Sequence, residues 1–137
     1  LDGFKSVNDR FGHLEGNRVL QLAAEGFRNG CRETDFVARM GGDEFVLLLP
    51  NISTEAMNAR VAAMTAMIQG VGVKVTGEKI LSLSAGISWF PLDGETSEAL
   101  LECADKRMYA IKKLHHQQNP ALARKSPGSE GARPLVN

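Results

Sequence analysis

The stretch ARMGGDEFVLLLP, Ala38 to Pro50, decides how this chain is read. Two glycines are followed by two carboxylates and then by a run of apolar residues. TDFVARM before the glycines and EFVLLLP after them read as two strands, so the pair forms a β-hairpin. Gly41 and Gly42 supply the positive φ that a tight hairpin turn requires, and they remove two side chains where a ligand could approach the backbone. Asp43 and Glu44 repel each other, and a strand core has no use for them. The turn is either two solvated acids or the seat of something cationic.

Working outward, Leu14 to Cys31 reads as a helix with a stripe of Leu20, Ala24, Phe27 and Cys31, ended by Gly30. Ser53 and Thr54 are N-cap candidates for a second helix, rich in Ala and Met, that runs to about Gln69. GVKV and KILSLSAGIS are expected to form a second hairpin across Thr76-Gly77-Glu78. WFPLDGET is a loop. A third helix runs from near Ser97 to about Leu114 on a stripe of Leu100, Ala104, Met108 and Ile111. From Gln117 the chain has prolines and glycines without apolar period, which predicts a disordered tail over 117–137. The expected class is α+β, a largely antiparallel central sheet flanked by helices.

The bulk numbers fit one domain of 137 residues with an apolar share of 43%. Lys plus Arg and Asp plus Glu are both 16, a formal charge of +0, which argues against a nucleic-acid or membrane-surface protein. Cys31 and Cys103 read as free core thiols of a reducing cytosol. No run approaches the length of a membrane span. The chain starts without Met and in mid-motif, so it is read as a piece of a longer protein.

GGDEF on a hairpin is the name-giving motif of the diguanylate cyclases, and the chain resembles that family over nearly its whole folded length. LDGFKSVNDRFGHLEGN is similar to the family's first block, D-x-D-x-F-K-x-x-N-D-x-x-G-H-x-x-G-D. SLSAGIS followed by PLDG resembles the strand and loop near the end. LLECADKRMYAIK resembles the last helix, L-x-x-A-D-x-A-M-Y-x-A-K.

The resemblance implies a ferredoxin-like, palm-type nucleotide cyclase fold over residues 1–116, lacking its first strand and helix. It implies condensation of two GTP into cyclic di-GMP, with Mg²⁺ or Mn²⁺ as cofactor and a head-to-head homodimer for catalysis. Asp43 would be a metal ligand and proton acceptor, Glu44 would help hold the metal–nucleotide site, and the Leu1 carbonyl would touch the metal. Lys5 would stabilise charge in the transition state. Asn8 would read guanine, His13 and Phe4 would contact nucleotide beside Gly41 and Gly42, and Lys106 would reach the terminal phosphate. Arg32 and Asp35, in RETD, stand at the spacing of the family's RxxD site, where cyclic di-GMP binds and inhibits. A sensor or regulatory domain would precede this one in a cytoplasmic location, on a parent that could be membrane-anchored. No DNA, RNA or direct membrane contact is implied.

Three positions depart from the pattern. The family's first metal Asp would stand immediately before Leu1. The Asp of its G-D pair, which accepts from guanine N1–H and N2–H, is Asn17 here. The basic residue one turn after Lys106 is Ala110, with Lys112 and Lys113 nearby. An exposed pair such as His115 and His116 at a helix end is more often incidental than a metal site. Two readings therefore stand: an active cyclase domain, or a binding module that senses cyclic di-GMP through Arg32 and Asp35. A purely structural dimerisation domain explains neither GGDEF nor RETD.

Overall fold

A computed structural model describes residues 1–118. The described chain forms two compact units that divide between Leu83 and Ser84. The first holds α1 (Phe4–Phe11), α2 (His13–Asn29), β1 (Phe36–Gly41), β2 (Glu44–Leu48) and α3 (Thr54–Thr76). The second carries α4 (Ser97–Gln118). Gln117 and Gln118, assigned to the tail by composition, are the end of α4. The rest of the expected tail lies outside the described residues.

The hairpin is where the glycines put it. β1 and β2 pair antiparallel, with Phe36 opposite Leu48, Ala38 opposite Val46 and Gly41 opposite Glu44. The register slips between Arg39 and Gly41, so Met40 is a bulge residue. Phe45 of β2 packs on Phe27 of α2, ring centroids 5.0 Å apart and planes tilted by 54°. That tilted contact fastens the base of the turn to the core.

The core of the first unit is Val7, Val19, Ala23, Phe27, Ile68, Val71 and Leu81. It joins α1, α2 and α3, and trimming the fully buried Ile68 to Ala is expected to cost about 2–5 kcal/mol. The face of α2 differs from the expected stripe. Gly16, Val19, Ala23 and Phe27 are its buried residues, while Leu20 and Ala24 lie at the flank. Only Phe27 belongs to both sets, because two neighbouring apolar stripes satisfy the same helical period and the partner surfaces choose between them.

The second hairpin is not formed. Val71 to Thr76 continue α3, with Val71 and Gly72 buried. Gly77 is the C-cap of that helix, its N–H donating to Val73 O at 2.8 Å. The valines favour a strand in isolation, but their helical spacing lets Ile68, Val71 and Val75 reach the core together. A Cβ on Gly72 would stand 3.1 Å from Leu81 Cβ, so the incoming chain packs directly on the helix there. Residues 79–88 form no strand ladder; Ser82 alone bridges antiparallel to Asp2. The start of α3 is as expected, with Ser53 accepting from Ala56 N at 3.1 Å.

In the second unit, Gly86 lies against the backbone of α4, where a Cβ would collide with Ala104 and Met108. Ser88 Oγ donates to Leu100 O at 2.8 Å, and Ser84 Oγ lies 3.0 Å from His115 Nδ1. Arg107 grips Asp93 with Nη1 and Nη2 at 2.9 and 3.0 Å, closing the 89–96 loop onto the helix. The Asp93 carboxyl is held below its ordinary range by that guanidinium and by the Trp89 N–H. Cys31 and Cys103 are free thiols of intermediate exposure, less buried than core positions. Among the described residues, no helix is long and apolar enough to cross a membrane.

Candidate functional site

Gly41 and Gly42 hold φ of 137° and 52°, and a Cβ at either would meet nothing within 4 Å. Their role in the turn is conformational, and the space beside them is open. Arg39 Nε donates to Gly42 O at 3.0 Å and braces the turn from β1. Asp43 then presents a side chain that is 29% accessible, and Glu44 is half-buried at the head of β2.

The start of the chain comes to this turn. Leu1 N donates to Asp43 O at 2.8 Å and lies 3.7 Å from Asp43 Oδ2. Asp2, nearly fully buried, exchanges hydrogen bonds with Ser82 at 2.9 and 3.0 Å. Leu1 and Asp2 thus donate in opposite directions, as neighbours in a central strand do. The chain then turns through Gly3 into α1, which carries Phe4 and exposed Lys5 in its first turn and half-buried Asn8 one turn later. Asn8 is therefore helical, not in a loop.

Gly12, at φ 91° and ψ 166°, is at once the C-cap of α1 and the N-cap of α2. That backbone region is essentially glycine's own. The one-residue joint packs α1 against α2, whose first turns carry exposed His13 and Asn17. Asn8 lies directly against the backbone of α2 at Gly16.

RETD forms a second cluster. Arg32 Nε and Nη2 reach Asp35 Oδ1 at 3.1 and 2.8 Å, and Arg32 N donates to Asp35 Oδ2 at 2.8 Å. Arg32 Nη2 also donates to Pro50 O at 2.6 Å. A residue that sequence reasoning missed completes it: Arg60 of α3 donates from Nη1 to Asp35 Oδ2 at 3.2 Å. Its signal was an arginine on the inward stripe of α3, among Met57, Met64 and Met67. The Asp35 side chain is 0% accessible, against 45% for Arg32 and 20% for Arg60. The Arg32 guanidinium, then its N–H and Arg60, hold the Asp35 carboxyl far below the usual carboxylate range against the opposing effect of burial. Arg32 is correspondingly raised. Beside the pair opens a depression of about 580 Å³, lined by Arg32, Asn51, Ile52, Ser53, Ala56 and Arg60 among others, with no acid in its wall.

Lys106 belongs to the second unit, where Nζ pairs with Glu102 Oε1 at 3.1 Å and both side chains are largely exposed. Among the described residues, no group of three or more His, Cys, Asp or Glu is arranged to hold a metal ion. His115 and His116 form no such centre.

A helix-flanked hairpin whose glycine turn carries two carboxylates, with the chain start drawn to the same turn, defines a GGDEF-type α+β domain. The family described as "Diguanylate cyclase, GGDEF domain" matches residues 1–118, and the chain belongs to it. It is 41% identical over 114 residues to diguanylate cyclase DgcP of Pseudomonas aeruginosa, covering 82% of this chain and 17% of that protein. It is 34% identical over 113 residues to diguanylate cyclase A of Treponema denticola, covering 82% of this chain and 30% of that one. The chain thus spans under a third of these relatives' length. Among solved structures, the GGDEF domain of TpbB (YfiN) from Pseudomonas aeruginosa superposes with a TM-score of 0.68 at 34% identity, covering 81% of this chain and 70% of that one. A sensory box/GGDEF family protein from Caulobacter crescentus gives 0.66 at 33% identity, with 83% and 74% covered. These neighbours bear out the palm-type cyclase fold implied by the sequence.

Proposed function

We propose that residues 1–116 are a diguanylate cyclase domain of a cytoplasmic signalling protein, which joins two GTP into cyclic di-GMP with release of two pyrophosphates. In each half-reaction a 3′-hydroxyl oxygen bonds to the α-phosphorus of the other GTP. The bond from that phosphorus to the pyrophosphate oxygen breaks, and the hydroxyl proton passes to a base. The observation that carries this reading is the approach of Leu1, at the start of the first unit, to Asp43 in its glycine turn, with Leu1 N 3.7 Å from Asp43 Oδ2. It supports a site in which the chain start and the Asp43 and Glu44 carboxylates act together at the turn.

Hard oxygen donors of this kind suit Mg²⁺ or Mn²⁺, which bind through one or two carboxylates and complete their shell with substrate phosphate. Asp43, Glu44 and the Leu1 carbonyl would hold the ion, whose chemistry is to neutralise phosphate charge and activate the attacking oxygen. Asp43 is placed to take the hydroxyl proton. Gly41 and Gly42 let phosphate approach the backbone. Phe4 and His13 line the nucleotide, and Lys5 supplies cationic charge to its phosphates. Asn8 and Asn17 address the guanine. Two copies meet head to head, each offering one GTP, under the control of an upstream sensor or regulatory domain.

Cyclic di-GMP binds at Arg32, where paired guanidinium donors suit phosphate and the guanine edge. The acid-free wall beside Arg32 and Arg60 supports this and extends the RxxD pair to a third residue. A second reading, a binding module without turnover, is favoured by Asn17 and by Ala110 in the altered last helix.

The test is incubation of the domain, prepared with its upstream strand present, with GTP and Mg²⁺, with cyclic di-GMP followed by chromatography. Product is expected, and Asp43→Ala should lower its rate by at least about a hundredfold. Product at the parental rate from Asp43→Ala would overturn the assignment. Cyclic di-GMP binding without product, lost in Arg32→Ala, would select the second reading.

A further inference from the structure

We infer that Gly16 is a positioning residue for guanine recognition, because its missing side chain is the seat of the Asn8 carboxamide. The inference rests on the guanine-reading role proposed for Asn8 and goes beyond it. Glycine is the poorest helix former after proline, yet Gly16 stands in the opening turns of α2 and is buried there. Its φ is ordinary, so the backbone does not require it. The space does. A Cβ built at Gly16 would overlap Asn8 Oδ1 and stand 2.9 Å from Asn8 Cγ, with Nδ2 farther off at 3.5 Å.

The carboxamide therefore packs edge-on against α2 with its oxygen inward. An oxygen is the favoured end against a backbone Cα–H, whereas an amide NH₂ there would face a hydrogen with a hydrogen. That preference selects between the two amide orientations and turns Nδ2 away from α2. A fixed NH₂ donor meets an acceptor at guanine O6, the position where adenine carries the N6 amino donor. Gly16 thus acts through Asn8 to favour guanine over adenine. It immediately precedes Asn17, so both groups that address the base sit at one edge of α2.

A four-protein cycle tests this: wild type, Gly16→Ala, Asn8→Ala and the double variant. Each is melted without nucleotide and titrated by calorimetry with Mg²⁺–GTP and Mg²⁺–ATP. In the wild-type background Gly16→Ala is expected to lower Tm by a few degrees, because the new methyl displaces Asn8. With Asn8→Ala the obstruction is gone, and the same substitution should raise Tm, since alanine is then simply the better helix former. Gly16→Ala should weaken GTP by roughly tenfold, leave ATP unchanged, and cost nothing further once Asn8 is alanine. A fall in Tm of the same size in both backgrounds would overturn the packing role. A wild-type GTP-to-ATP ratio in Gly16→Ala would overturn the specificity role. A sign reversal in Tm with no binding of either nucleotide by the wild type would overturn the nucleotide reading and leave Gly16 a packing residue only.

Discussion

Asp35 and Asp43 flank the same strand, β1, and live under opposite conditions. Asp35 is wholly enclosed and takes hydrogen bonds from two arginines and a backbone N–H. Asp43 stands 29% accessible at an open glycine turn, with the Leu1 nitrogen 3.7 Å from its carboxylate. The first carboxylate has its cations built in. The second has the Leu1 nitrogen near it and another acid, Glu44, beside it. The difference fits the role proposed for each cluster. RETD is organised before any ligand comes, and it offers the guanidiniums, with Asp35 as their clamp. The GGDE turn is organised in its backbone and leaves its charge open.

The contrast breaks first, if it breaks at all, on Asp35→Ala against Asp43→Ala. Without Asp35, Arg60 loses its hydrogen bond and Arg32 is left with Pro50 O, so cyclic di-GMP affinity should fall by roughly ten- to hundredfold, and Tm should drop by several degrees. Asp43→Ala should leave Tm within about 2 °C, as expected for a partly exposed turn residue, while turnover is lost. Calorimetry and thermal melts of both variants check this. Equal losses of stability would mean that the turn is as much a structural site as RETD is.

A smaller effect sharpens the open side. Asn17→Asp should tighten GTP by about tenfold, because guanine N1–H and N2–H would then meet an ionised acceptor. ATP should not gain, since adenine presents an acceptor at N1. Cyclic di-GMP binding at Arg32 should not move. An unchanged GTP-to-ATP ratio would remove Asn17 from the base site and leave recognition to Asn8.

The smallest effect is in the acid limb of stability. Asp35 is depressed below its ordinary 3.8 in the folded chain. A depressed carboxyl stabilises the fold above its unfolded pKa, and that contribution fades as pH falls through the folded value. The Tm gap between wild type and Asp35→Asn should therefore be full above about pH 4 and narrow below it. A gap that is constant down to strong acid would show that Asp35 acts by shape and not by charge. Asp93, held low by Arg107, contributes in the same direction within the second unit.

Much of this was legible from local chemistry. Gly41 and Gly42 announced a tight turn, Ser53 announced a helix start, and the order of four motifs announced the family. Each of those signals lies within a few residues of what it specifies, so one chain suffices to read it. The differences fall where one element packs on another. Val71 to Thr76 has strand-like composition, but Leu81 packing on Gly72 made it helix. The stripe of α2 was ambiguous by one residue until α1 and α3 covered Val19 and Ala23. Arg60 joined Asp35 across 25 residues, and Asn8 found its seat at Gly16 on another helix. Short-range sterics and hydrogen bonding fix the glycine turn and the Ser53 cap, and the ordered motifs fix the family, so one chain was enough to read all three. Only the tertiary structure decided which face was buried, where α3 ended and which side chains met. Burial outweighs local propensity, and it is settled between elements, not within them.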